Sequence, residues 1–463
     1  MTLRGLAGAA AITLLPHPLV GQTALSIYSD GRVVVRHTLA QPLDKGRNSL
    51  TVKLEGVDPA TLFSPDTSVA LVSGVWRPAS DRAAALARAI GQTLSFVRPR
   101  AGGGADTVRA TVIRVNPSQY RLPDGRLLLG DPGEPLFPPE LMRSGAELSV
   151  ALEAARARPR TELAYVMSGA ARWEAVYQVL LFGAKCAVSG TATITSQTLR
   201  ADSAEVQLVA GSISRARGGP PGPLQPFRAQ ALAAAVVSGE SASEEAVGET
   251  HVYQVPGRST LEPGVPLTVA LFPQTSAPYT QEFVVPGAVP LRGFFGQMPT
   301  EPNRVPVQVW YTLARARGTS FGDRPLPGGT VQLYQGDSAG RLQLVGEALT
   351  EHTAPGRELR LQSGEAFDVT AERVETDYTQ EQLAAPRRGL APRQRVTATF
   401  RVTITNAKPD AVTVDVREAR IGTWRVTDSS LPAERLSASE VRFRVPVPAK
   451  GDAALTYTIQ VES

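Results

Sequence analysis

An all-β chain of several antiparallel β-sandwiches is what this sequence predicts, and three features predict it. From Leu326 to Tyr378 apolar and polar residues alternate wherever the chain is not turning, the pattern of half-buried antiparallel strands. The chain holds 41 Gly and 37 Pro, set between short apolar runs, which favours sandwiches over helical bundles. At 463 residues it is too long for one ordinary core, so several domains are expected. The expected division is an N-terminal β domain over 22–158 with a small β insertion at about 91–140. A central β domain over 159–300 follows, carrying a flexible loop at 212–249, and a C-terminal immunoglobulin-like sandwich fills 301–463.

Residues 1–21 read as an export peptide. Arg4 supplies the positive start, Gly5 to Leu15 a short apolar stretch, and Pro16 to Gly21 a break ahead of cleavage. The apolar stretch is too short to cross a bilayer, as is Ala229–Val237, so no transmembrane segment is expected once the peptide is gone. After it, Ala24–Tyr28, Arg32–Leu39 and Ser49–Leu54 read as strands, with Leu50, Val52 and Leu54 on one face of the third. Asp81 to Ile90 is a short helix that Asp81 or Ser80 can cap. Thr107–Val115, Gln119–Leu122 and Arg126–Leu129 form a meander with a tight turn at Pro123-Asp124-Gly125. Glu147–Ala155 and Thr161–Met167 are expected to pair as a hairpin, an amphipathic helix over 140–157 being the alternative.

Val176–Leu181, Ala187–Thr195 and Ala204–Val209 are further strands. Gly-Gly-Pro-Pro-Gly-Pro and a Ser/Glu-rich piece then mark the expected mobile loop. Strands resume at His251–Val255 and Leu267–Phe272, and Val305, Val307, Val309, Tyr311 and Leu313 share one strand face. Two further pairings are expected. Val396–Ile404 turns through Asn406–Asp410 into Val412–Val416, and Val441–Val447 turns through Ala449–Asp452 into Leu455–Val461.

The formal net charge of +5 is carried almost wholly by arginine, the lysines being Lys45, Lys53, Lys185, Lys408 and Lys450. The basic runs Arg156–Arg160, Arg215–Arg217 and Arg387–Arg395 fall in loops and lack interleaved aromatics, so no nucleic-acid groove is expected. Cys186 stands alone in an apolar context and reads as buried and inert.

Several segments together resemble a known family. Leu163-Ala-Tyr-Val-Met-Ser-Gly-Ala-Ala-Arg-Trp173-Glu-Ala-Val-Tyr177 is similar to a Y-x-x-S-G-x-x-W-x-A-x-Y opening, and Val206-Gln-Leu-Val-Ala-Gly211 to an A-x-L-x-L-V-A-G strand. Leu326-Pro-Gly-Gly-Thr-Val-Gln-Leu-Tyr334 is similar to an L-P-x-G-x-V-x-x-Y strand. Gly346-Glu347, His352–Gly356, Gly364–Val369, Asn406–Lys408 and Thr423-Trp424 continue in the same order. Over about residues 160–463 the chain thus resembles domain-of-unknown-function family 4139, of mucoidy-inhibitor-like bacterial proteins. A short β insertion stands where members often carry a coiled coil, and Val176 stands where the motif has Asp. The resemblance implies a β-rich exported protein and supplies no catalytic residues.

No constellation for chemistry is read in the residues themselves. His17 leaves with the export peptide, and His37, His251 and His352 lie in different segments without ligand spacing, so no metal is expected. No low-pKa thiolate is expected at Cys186. Glu347, Glu365, Asp368 and Glu372 are the best carboxylates for a glycosidase pair, but they read as turn and solvated strand positions. Asp368 faces solvent if Phe367 and Val369 face the core. Trp173 and Trp424 read as core, and Trp310 as part of a second layer. Ionisable groups are thus expected to point outward and apart, with no catalytic, cofactor-binding or metal residues and no cofactor. The expected function is a non-enzymatic, exported cell-envelope scaffold or binding module, periplasmic or on the surface, whose partner is an unknown protein or polysaccharide. The alternative is a carbohydrate-active or other hydrolase using scattered carboxylates.

Overall fold

In the computed structural model, residues 20–100, 103–211, 242–287, 303–383 and 393–462 are described. They bear out the all-β expectation: the described residues are 64% strand and 3% helix, in several sheets and no barrel. Most neighbouring strands are antiparallel. The pairs Val20–Tyr28 with Ala201–Ala210, Ala171–Phe182 with Gly329–Gly336, and Leu267–Val285 with Val412–Ala419 run parallel.

Two compact units are present, and neither is continuous in sequence. One runs to Trp173 and resumes over Thr193–Val269; the other comprises Glu174–Ala192 and Ala270 onward. These limits differ from the divisions at 158 and 300. The N-terminal strands need partners from later in the chain to complete their sheet, which has the order Thr161–Ser168, Arg32–Leu39, Val20–Tyr28, Ala201–Ala210, Thr250–Gln254, Ser243–Val247. The last two strands form a hairpin, so the expected loop at 212–249 ends by Ser243. Its remainder, 212–241, lies outside the described residues, as does the export segment up to residue 19. Val20 and Gly21, placed with that segment, open the first strand.

The expected hairpin between Glu147–Ala155 and Thr161–Met167 is absent. Glu147–Ala154 is the middle strand of a three-stranded sheet, flanked by Gly46–Lys53 and Val69–Arg77, and so has no free edge. Thr161–Ser168 pairs instead with Arg32–Leu39. The insertion is larger than 91–140. Its five-stranded sheet, including the meander over Ala105–Leu129, packs on the helix Arg82–Arg88. Asp81 caps that helix through Oδ1, which accepts from the Ala84 amide at 2.6 Å. Leu86, Ala89, Leu94, Phe96, Val112, Tyr120 and Leu141 form the insertion's own core. There Tyr120 meets Phe96 edge-on at 5.1 Å and donates to Asp131 at 2.8 Å. Burial, then that carboxylate, push the Tyr120 phenol up to about 12.

The second unit joins a ten-stranded and a five-stranded sheet. Two motif segments far apart in sequence become neighbours here, with Ala175 opposite Gly329 and Tyr177 opposite Val331. Tyr177 donates its hydroxyl to the Pro327 carbonyl at 2.7 Å. A Cβ on Gly329 would stand 2.2 Å from the Ala175 carbonyl oxygen, which is why this strand start requires glycine.

At the C-terminal end the five-stranded sheet Asn303–Val305, Val369–Leu383, Arg393–Asn406, Gly451–Glu462, Thr423–Ser429 faces Val412–Ala419 and Glu440–Val447 of the larger sheet. Phe443 stacks on Tyr457 across the interface at 4.8 Å. Neither expected hairpin forms. Arg393–Asn406 and Val412–Ala419 lie in opposite sheets, as do Glu440–Val447 and Gly451–Glu462, so both turns carry the chain across the sandwich. Buried Asn406 fastens the two turns together. Its Nδ2 donates to the Asp410 and Pro448 carbonyls, both at 2.9 Å, and its Oδ1 accepts from the Lys408 amide at 3.0 Å. Asn406→Ala strands these groups, and an unfolding free energy lower by about 3 kcal/mol is expected in urea titration.

Candidate functional site

One cleft of about 390 Å³ opens in the second unit. Phe283 and Tyr311 from adjacent antiparallel strands form part of its wall, with Gln335 and Val345 from the Gly329–Thr350 hairpin. The turn Ala366–Asp368 and Lys408, from the crossing turn after Asn406, complete it. Lys408 Nζ lies 5.0 Å from the Phe283 ring centroid. Gln281 donates to the Tyr311 hydroxyl at 3.1 Å, and burial raises the Tyr311 phenol above its ordinary range.

Two of the four candidate carboxylates, Glu365 and Asp368, line this cleft, and both are exposed. Glu365 ends the strand Leu359–Glu365; it is not in a turn. Val369 faces the core as expected, but Phe367 is 94% exposed, because the turn breaks the alternation before the next strand starts. Glu347 lies on the strand Leu342–Thr350, where it accepts from Gln332 at 3.2 Å. Glu372 is an exposed position on Val369–Leu383.

The histidines remain apart, and no cluster suited to a metal occurs among the described residues. His251 Nδ1 meets Glu244 at 2.7 Å across its hairpin, a carboxylate neighbour that sequence spacing did not reveal. His352 Nδ1 accepts from the Gly328 amide at 3.1 Å. His37 is buried between Thr23 at 3.1 Å and the Tyr165 hydroxyl at 3.2 Å. Burial lowers its pKa from 6.5 to about 4. The charged ring is therefore disfavoured in the fold but free to form in the unfolded chain. The stabilisation is complete above about pH 6.5 and is lost as pH falls through about 4, amounting to about 3 kcal/mol. Across that window a His37→Gln variant is expected to show a flatter stability curve in denaturant titrations at stepped pH.

Cys186 is buried as expected. Its thiol donates to the Ala277 carbonyl at 3.4 Å, and burial pushes it up to about 11. Trp173 and Trp424 are core residues. Trp310 is half-buried: the Arg360 guanidinium lies over its ring at 4.4 Å and pairs with Glu282 at 3.1 Å. The basic run ending at Arg395 is partly neutralised, since Arg395 pairs with Glu462 at 2.8 Å.

Two buried polar arrangements escaped sequence reasoning. Between the facing sheets Glu418 is wholly buried. Its Oε2 accepts from Arg373 and from the Tyr457 hydroxyl, the latter at 2.6 Å, while its Oε1 lies 2.5 Å from Arg420. Burial holds the Tyr457 phenol well above its ordinary range, and the Arg373 guanidinium lies 4.4 Å from the Phe400 ring centroid. These groups gather inward rather than pointing out and apart. The signal was available. Val369, Ala371 and Arg373 share one strand face, as do Val414, Val416 and Glu418. The other arrangement is Arg315, 2% exposed, whose guanidinium donates to the carbonyls of Phe321, Arg324, Ala354 and Arg357. These contacts tie two loops together and address no substrate.

The described residues hold no helix long and apolar enough to cross a membrane. Comparison with protein-family models and with curated proteins returns no match for this chain.

Proposed function

We propose that this chain is an exported, non-enzymatic β-sandwich protein that serves as a scaffold or binding module in the cell envelope. One observation carries this reading. His37, Tyr165, Cys186 and Tyr457, all strongly shifted, are sealed inside the sandwiches, while in the cleft that opens to solvent the shifted group is the Tyr311 phenol, among polar and aromatic side chains suited to recognition. The export reading rests on the composition of residues 1–21. Kinship with domain-of-unknown-function family 4139 belongs to the same proposal, supported by the pairing of its Trp173–Tyr177 and Leu326–Tyr334 segments as adjacent strands.

In a bacterial host the full-length chain is expected in the periplasmic or extracellular fraction, with a mature N-terminus near Gln22 by Edman sequencing. Retention in the cytoplasm with Met1 intact overturns the export reading. Proximity labelling from the C-terminus then identifies envelope neighbours. The rival reading, a hydrolase, draws on the presence of Glu365 and Asp368 in one cleft. Turnover of glycoside substrates that disappears in Glu365→Gln and Asp368→Asn variants would establish it; no turnover is expected.

A further inference from the structure

We infer that the cleft around Phe367 is a saccharide-binding subsite for an uncharged oligosaccharide chain. This rests on the binding-module reading and names its ligand class. The first support is Phe367 itself. A phenylalanine kept in water forgoes about 1.5–3 kcal/mol of burial, which the apolar face of a ligand at a cleft mouth can recover. Phe367 is 94% exposed, and the backbone on both sides of it is pinned. The Ala366 amide donates to the Val307 carbonyl at 2.7 Å, and the Asp368 carbonyl accepts from the Ala407 amide at 2.8 Å. The ring is therefore carried on a braced turn, so little backbone ordering entropy is lost when a ligand stacks on it.

The second support is the polar lining. Glu365, Asp368 and Gln335 line the cleft, and their side chains have no hydrogen-bond or ion-pair partner among the described residues. Carboxylates and a carboxamide at a cleft rim accept hydrogen bonds from hydroxyl groups, and the amide also donates one. A flat aromatic face beside such acceptors matches a sugar ring, which is apolar on its C–H face and polar around its edge. A volume of about 390 Å³ admits a short stretch of such a chain and leaves the rest on the surface.

Charge selects the class. Two carboxylates, Glu365 and Asp368, face one ammonium, Lys408, so the lining is net negative. That balance disfavours uronates, phosphates, nucleic acid and anionic lipid headgroups, and accepts neutral hydroxyl-rich chains.

The test uses the full chain after removal of the export segment, with cellohexaose, maltohexaose and chitohexaose as neutral probes and hexagalacturonate as the anionic one. Saturation-transfer NMR and calorimetry are expected to detect at least one neutral probe and to rank it above hexagalacturonate. Phe367→Ala is expected to weaken that binding at least tenfold and Asp368→Asn severalfold, while Phe367→Trp retains it. Ile421→Ala, at an equally solvent-facing turn, is expected to leave it unchanged. Both residues are exposed, so these variants keep the fold. No binding of any neutral probe at millimolar concentration, binding untouched by Phe367→Ala, or preference for the anionic probe each overturns the subsite. Cleavage of a bound probe overturns the non-enzymatic reading instead, so the two failures are separate.

Discussion

A Glu418→Gln variant is expected to lose about 3–5 kcal/mol of unfolding free energy, the cost of breaking a buried ion pair from one side. The carboxylate is wholly buried between the sheets and faces Arg373 and Arg420. Its Oε2 also takes the Tyr457 hydroxyl, 2.6 Å away. Gln keeps the shape and removes the charge, leaving two guanidinium groups in the interior with their main counterion gone. In a unit of this size each kcal/mol corresponds to roughly 2–4 °C, so the calorimetric midpoint is expected to fall by roughly 10 °C. Arg373→Met alone is also costly, because it takes one of the two guanidinium partners from the buried carboxylate. The double variant Arg373→Met, Glu418→Leu is expected to recover much of the combined loss, since it removes both charges and fills the interior with apolar atoms. Strict additivity in that cycle would show that the charges do not act as a unit.

Arg315→Met is expected to cost a comparable amount, about 3–5 kcal/mol, by a different route. Here no carboxylate is lost. Four backbone carbonyls lose donors at once: those of Phe321, Arg324, Ala354 and Arg357. The guanidinium also lies 5.2 Å from the Phe321 ring centroid, inside the core. Losing these bonds loosens the loops after Leu313 and around Ala354, although the Ala354 carbonyl keeps the Arg357 amide at 3.2 Å. Limited proteolysis is therefore expected to cut first between Ala314 and Pro325, ahead of global unfolding. Arg315→Lys is expected to rescue little, because one ammonium cannot reproduce a planar fork that reaches two loops at once. An unchanged cleavage pattern in both variants would remove the bracing role.

Much of the fold was legible in the sequence because strand alternation is a local property. Arg32–Leu39 appears with its expected bounds, since Val33, Val35, His37 and Leu39 alternate inward without interruption. The helix at Arg82–Arg88 was readable from Asp81 and the Ala/Leu/Arg run behind it. Strand partners were less legible. Alternation marks a strand but not which sheet receives it, so the turns at Asn406–Asp410 and Ala449–Asp452 looked like hairpins and proved to be crossings. Only Asn406, buried among backbone carbonyls, distinguishes them, and its partner Pro448 lies far along the chain. The cleft was half legible. Glu365 and Asp368 were named, but Phe367 entered only as a condition for Asp368, because strand alternation does not carry through a turn. Arg373 and Glu418 were missed for the opposite reason: charge was assumed to point outward although strand parity put both inside.

The parallel pairing of Ala24 with Glu205 has a bearing on how the molecule is made. The first strand completes its hydrogen-bonded edge only with a partner about 180 residues further along, so a nascent chain carries an unmet template for most of that distance. The sheet of this unit therefore closes only once that partner strand has been made. It also means that a fragment cut at residue 158 lacks the strand that closes its own sheet, and is expected to aggregate through the open edge rather than fold.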